Sequence, residues 1–123
     1  MTKFTPTRII KKLHKLSDHM INCGILLSED IPCCISCGIS ESISWASELN
    51  ECDCELINGC LFYTSQDVSS FGGLGYLNVY FHPTTESEYS ARQIGIAICN
   101  ILECNNFEFE WDACENCPIR IYA

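Results

Sequence analysis

The sequence has no apolar run of about 18 residues, so no segment is long enough to cross a bilayer as a helix. Its first residues carry charge but no apolar stretch ending in a small-residue cleavage site. No secretory signal is read there, and the cytosol is the expected compartment. Basic side chains are also scarce: beyond Ser17 there are only Arg92 and Arg120. All 16 acids lie in that stretch, a balance of −14, whereas residues 1–17 hold Lys3, Arg8, Lys11, Lys12 and Lys15 and no acid. A phosphate backbone requires the opposite sign, so nucleic acid is excluded as a partner for the body of the chain and a basic protein is its natural complement.

Histidine is scarce too. His14 and His19 are five residues apart on a helix and do not stack, and His82 stands beside a proline. A Cys37–His82 pair can be imagined, but nothing in the sequence supports it. No nucleophile stands next to a base and no carboxylates are visibly paired in a cleft, so the expectation is a protein without enzymatic activity.

What is abundant is cysteine, 11 residues in 123. In a short secreted chain this would be a disulfide framework, but the odd count and the missing export signal favour reduced thiols. Three fall in Cys33-Cys34-Ile35-Ser36-Cys37-Gly38, and a second Cys-x-x-Cys pair is Cys114-Glu115-Asn116-Cys117. Cys34, Cys37, Cys114 and Cys117 together would make a tetrahedral zinc site of two knuckles. However, 76 residues separate the pairs, against about 15 to 20 in the usual zinc spacing. Small apolar core residues, a zinc or other soft-metal site, and thiol redox chemistry all remain open readings of these cysteines.

At 123 residues one domain, 1–123, is expected, with 47% hydrophobic content arguing against disorder. Residues 6–22 read as an amphipathic helix with Ile9, Leu13, Leu16 and Met20 on one stripe and the basic residues on its flank. Asn22-Cys23-Gly24 ends it at a residue that accepts positive φ. Residues 25–38 read as a loop, and Ser40 to Asn50 as a short helix. The acids Glu51, Asp53 and Glu55 alternate with Cys52 and Cys54 in a connector. Strand character returns at 60–64 and 76–81, with the glycine-rich stretch 69–75 read as the loop of an antiparallel hairpin. Thr85-x-x-Glu88 reads as the capping box of the longest helix, whose inner stripe is Ala91, Ile94, Ile98, Ile101 and Leu102. Phe107, Phe109 and Trp111 then alternate with Glu108, Glu110 and Asp112, giving a strand with one apolar and one acidic face, and 118–122 is the returning strand. The order α-α-β-β-α-β-β predicts an α+β domain: a four-stranded, mainly antiparallel sheet with helices packed on it.

Cys33-Cys34-x-x-Cys37-Gly38, Phe62-Tyr63-x-x-Gln66-Asp67, Gly75-x-Leu77-x-Val79, Trp111-Asp112 and Arg120-Ile121 together resemble a family of small bacterial domains of unknown function. That family's pattern has a Cys-Cys-x-x-Cys-Gly stretch, a Phe-Tyr-His-x-Gln-Asp strand end and a Trp-Asp-Gly hairpin closing on Arg-Ile. The resemblance covers about residues 30–122 and implies a fold rather than an activity. Thr64 stands at the position of the His, and Ala113 at that of the Gly. In size, acidity and expected compartment the chain also resembles the immunity proteins that bacteria make against toxins from neighbouring cells. The expected function is therefore an acidic interaction protein that neutralises a basic toxin such as a nuclease, with Glu108, Glu110, Asp112, Glu51, Asp53 and Glu55 as its partner-binding acids. The alternative is a cysteine-based metal or redox domain.

Overall fold

A computed structural model describes residues 6–31, 39, 44–45, 57–84, 89–114 and 117–122. The stripe read over residues 6–22 is divided between two helices, α1 (Pro6–His14) and α2 (Ser17–Asn22). Ile9, Leu13 and Met20 are buried as the spacing requires. The helix breaks at Lys15 and Leu16, where the Leu16 N–H turns back to the carbonyl of Leu13 at 3.0 Å, a tighter turn than the α-helical one. Ser17 and Asp18 follow, residue types that favour the start of a helix over its interior. Gly24 closes α2 at φ 82°, the left-handed conformation expected there.

Residues 25–31 are not a loop. They form β1 (Ile25–Ile31), which pairs in parallel with β2 (Gly59–Thr64), Ile25 facing Gly59 and Leu27 facing Leu61. Ile25 and Leu26 are both buried although they point to opposite faces, so the strand is covered on two sides and shows no alternation. β2 is buried along its whole length.

The glycine-rich stretch is not a loop either: Ser65–Leu74 is a helix, α3. Thr64 caps its first turn, and the Gly75 N–H closes its last on the carbonyl of Phe71 at 2.9 Å, with Gly75 at φ 81°. Gly72 and Gly73 each cost a helix about 1 kcal/mol relative to alanine. Two sound ends and the fully buried Phe71 outweigh that cost.

β3 (Tyr76–Pro83) pairs antiparallel with β2, as expected, and buries Leu77, Val79 and Phe81. The longest helix, α4 (Ala91–Cys104), starts at Ala91, where Ser90 and Gln93 form the capping box. The earlier start read at Thr85–Glu88 lies outside the described residues. Ile94, Ile98, Ile101 and Leu102 are buried, and Ala91 packs against the same core. β4 (Phe109–Glu110) and β5 (Ile119–Tyr122) are the expected hairpin strands, reduced in β4 to two residues.

The sheet order is β1-β2-β3-β5-β4. The α+β class and the four expected strands are present, but β1 adds a fifth, so the sheet is mixed and five-stranded rather than four-stranded. α1, α4 and Phe71 of α3 share one core with Leu61, Tyr63, Leu77, Val79, Phe81, Ile119 and Ile121. Of the helix read over Ser40–Asn50, only Ser44 and Trp45 are described, and both are helical.

Candidate functional site

Along the outermost strand the alternation holds. Phe107 is buried, Phe109 and Trp111 are half-buried against the core, and Glu108, Glu110 and Asp112 are exposed. Two of these acids have partners on β5. The Arg120 guanidinium lies 3.6 Å from Asp112, and the Tyr122 hydroxyl donates to Glu110 at 2.5 Å. That bond to a carboxylate holds the Tyr122 phenol above its ordinary pKa. The Glu108 side chain has no partner among the described residues; its carbonyl accepts from the Tyr122 N–H at 2.8 Å. The connector acids Glu51, Asp53 and Glu55 lie outside the described residues.

Cys114 and Cys117 are brought together in the hairpin that follows β4. The Cys117 N–H donates to the Cys114 carbonyl at 3.2 Å, and the Trp111 indole N–H donates to the same carbonyl, also at 3.2 Å. A hydrogen bond with Cys114, with a lesser part from desolvation, raises the Cys117 thiol above its usual pKa. Ala113 enters this turn at φ 58°, a left-handed conformation that glycine adopts without steric cost. Cys34 and Cys37 lie outside the described residues, and no group of three or more His, Cys, Asp or Glu side chains able to hold a metal occurs among the described ones.

Two clefts were not foreseen from the sequence. One, of about 370 Å³, is lined by Ile10, Lys11, His14, Lys15, Glu29 and Tyr63, with His14 Nδ1 and Glu29 Oε2 2.6 Å apart. The other, of about 310 Å³, is lined by Thr64, Gln66, Asp67, Ser70, Leu74, Asn78 and Tyr80. Asp67 is the third residue of α3 and closes its capping box. The signal available was Thr64-x-x-Asp67 before a helix, obscured by the glycines that follow.

These observations define an α+β domain on a mixed five-stranded sheet, with an acidic outer strand and a paired-thiol hairpin. The chain belongs to the domain family of unknown function DUF6891, whose model matches residues 3–123. No curated protein and no solved structure matches it. Among the described residues no helix is long and apolar enough to cross a membrane.

Proposed function

We propose that this protein is a non-enzymatic interaction module that holds a basic protein partner against its outer strand. The observation that carries the reading is the exposure of Glu108, Glu110 and Asp112 on one side of the terminal strand of the sheet, in a chain of net charge −9. Carboxylates in this position steer a cationic surface into contact and take up its Arg and Lys side chains. Arg120 offsets only part of the charge, and Glu108 makes no ion pair among the described residues. A bacterial toxin with a basic groove, such as a nuclease, is the kind of partner this surface fits, and the protein would then act as its cytosolic immunity protein. Glu51, Asp53 and Glu55 are the further acids proposed to bind the partner.

The test uses the partner captured on the purified protein from its native host. Replacing Glu108, Glu110 and Asp112 together by Ala should weaken binding at least about tenfold, because truncating a desolvated acid that meets Arg or Lys costs roughly 2 to 5 kcal/mol. Added salt should slow association more than it speeds dissociation. Unchanged affinity and unchanged salt dependence in the triple variant would rule this surface out.

The contact between Cys114 and Cys117 supports a second reading, a soft-metal or redox centre completed by Cys34 and Cys37. Metal analysis of the protein purified under reducing conditions, with a chelator-dependent melt, decides between the two. Stoichiometric zinc whose removal lowers Tm favours the metal site.

A further inference from the structure

The cleft between α3 and β3 is built around one carboxylate. Asp67 Oδ2 accepts from the Thr64 N–H at 3.0 Å and from the Thr64 hydroxyl at 2.7 Å, and Oδ1 accepts from the Tyr80 hydroxyl at 3.1 Å. All three donors are neutral. They fix the carboxylate's position and leave Oδ1 with an unused lone pair. No cationic side chain lines the cleft; Arg120, which stands opposite Asn78 on β5, is paired with Asp112, and Asp67 is in neither that pair nor the His14–Glu29 pair.

The rest of the lining is unspent hydrogen-bonding capacity. The side chains of Gln66, Ser70 and Asn78 make no hydrogen bond among the described residues. Asn78 is the least expected of them, since asparagine is disfavoured inside a strand and its amide stabilises nothing in β3. Leu74, 51% exposed, and the Tyr80 ring supply the apolar part of the wall. Burial, with the adjacent Asp67 charge, pushes the Tyr80 phenol up to about 12, so it remains a donor to Asp67 at neutral pH.

We infer that this cleft binds the guanidinium or ammonium group of an organic cation, with Asp67 as its counter-charge, the Asn78 and Gln66 amide oxygens as further acceptors, and Leu74 and Tyr80 against its alkyl stem. An anion would meet the Asp67 charge with no cation in the lining to offset it. A neutral polyol would satisfy the amides but leave the charge unpaired. A hard divalent ion takes six or more oxygens and would find a single carboxylate, already committed to three donors. A planar guanidinium matches both the charge and the fan of acceptors, and it can also lie on a tyrosine face. The same group could arrive on a free small molecule or on an arginine side chain of a polypeptide.

The experiment is an NMR titration of the full chain with N-acetyl-L-arginine amide, and with N-acetyl-L-citrulline amide as the neutral shape match. The arginine probe should give saturable shifts of the Gln66 and Asn78 side-chain amides, with the citrulline probe at least about tenfold weaker, as expected when a charged hydrogen-bonding partner is lost. Asn78→Ala should fold normally, because its amide makes no hydrogen bond among the described residues, and should weaken the arginine probe. Asn78→Lys should place an ammonium in the cleft, raise Tm and abolish probe binding. Free L-arginine distinguishes the two sources. Affinity at least about tenfold above the blocked probe identifies a small-molecule site, and equal affinity identifies a site that reads the side chain of a polypeptide. Both results support the inference. Equal binding of arginine and citrulline probes, shifts confined to other regions, or no saturation would overturn it. Glu108→Ala, which leaves the Arg120–Asp112 pair in place, should bind the probe as the parent does, so this test fails or succeeds independently of the acidic strand.

Discussion

The Trp111 indole lies directly over Gly95: a Cβ built on Gly95 would stand 2.6 Å from Trp111 Cη2 and 3.0 Å from Phe81 Cε2. Gly95 is therefore a contact residue of α4. It lets the helix approach the outer hairpin closely enough for Trp111 to cross Phe81 edge to face, with ring centroids 5.5 Å apart. The indole cannot simply swing away, because its N–H is committed to the Cys114 carbonyl. Gly95→Ala should consequently destabilise the protein by up to about 2 kcal/mol, the cost of overpacking less the roughly 1 kcal/mol gained in helix propensity. Urea unfolding followed by tryptophan fluorescence measures it, and a stabilised variant would show that the indole is not held.

The start of α4 gives a second prediction. Ser90 Oγ accepts from the Gln93 N–H at 3.2 Å while Gln93 Oε1 accepts from the Ser90 N–H at 2.8 Å. Ser90→Ala should cost about 1 kcal/mol, whereas Thr85→Ala should cost less. Thermal melts of the two variants compare them directly. A larger effect at Thr85 would move the helix start back to the position that the sequence pattern suggests.

The same pair of capping boxes shows what was and was not legible in the sequence. The inner stripe of α4 and the alternation in β3 and around Glu108 are strong periodic signals, and they place those residues correctly. Two Ser/Thr-x-x-Glu/Gln patterns five residues apart precede α4, and local sequence does not choose between them. β1 was missed because a strand covered on both faces has no alternation to detect. α3 was missed because glycines at 72 and 73 outweigh, by propensity alone, a cap and one buried Phe whose worth comes from tertiary packing. The cleft around Asp67 follows from α3, so it could not be read before that helix was seen.

Thiol reactivity should follow burial. Cys60 is fully buried and desolvation pushes its pKa up to about 12; Cys99 is half-buried and rises to about 11, from desolvation and then the Glu103 charge. Cys23 and Cys104 are exposed. A short iodoacetamide pulse at pH 8, read by peptide mass spectrometry, should modify Cys23 and Cys104 first among the described cysteines. Cys60 should be slower by a factor on the order of 10³, since only the thiolate reacts and a shift of three units removes that fraction of it. Labelling of Cys60 as fast as Cys104 would contradict its burial.

The last prediction concerns alkaline pH. Cys60 rises from 9.0 to about 12, Cys99 from 9.0 to about 11 and Tyr80 from 10.0 to about 12. Each of these groups is neutral when protonated, and each holds its proton more tightly in the folded state than in the unfolded chain. Below about pH 9 both states are protonated and the groups contribute no pH dependence. Above it the unfolded chain releases protons that the folded state retains, so stability must fall as pH rises from about 9 toward 12. Urea midpoints taken under reducing conditions from pH 7 to 11 should be flat with respect to these groups up to about pH 9 and then decline. In Cys60→Ala the decline should be shallower, although the variant begins lower at pH 7 because a small void replaces the sulfur among Leu26, Ile57 and Ile21. An equally steep decline in that variant would mean that the Cys60 thiol ionises as readily in the folded protein as in the unfolded chain, and that Cys99 and Tyr80 carry the alkaline sensitivity.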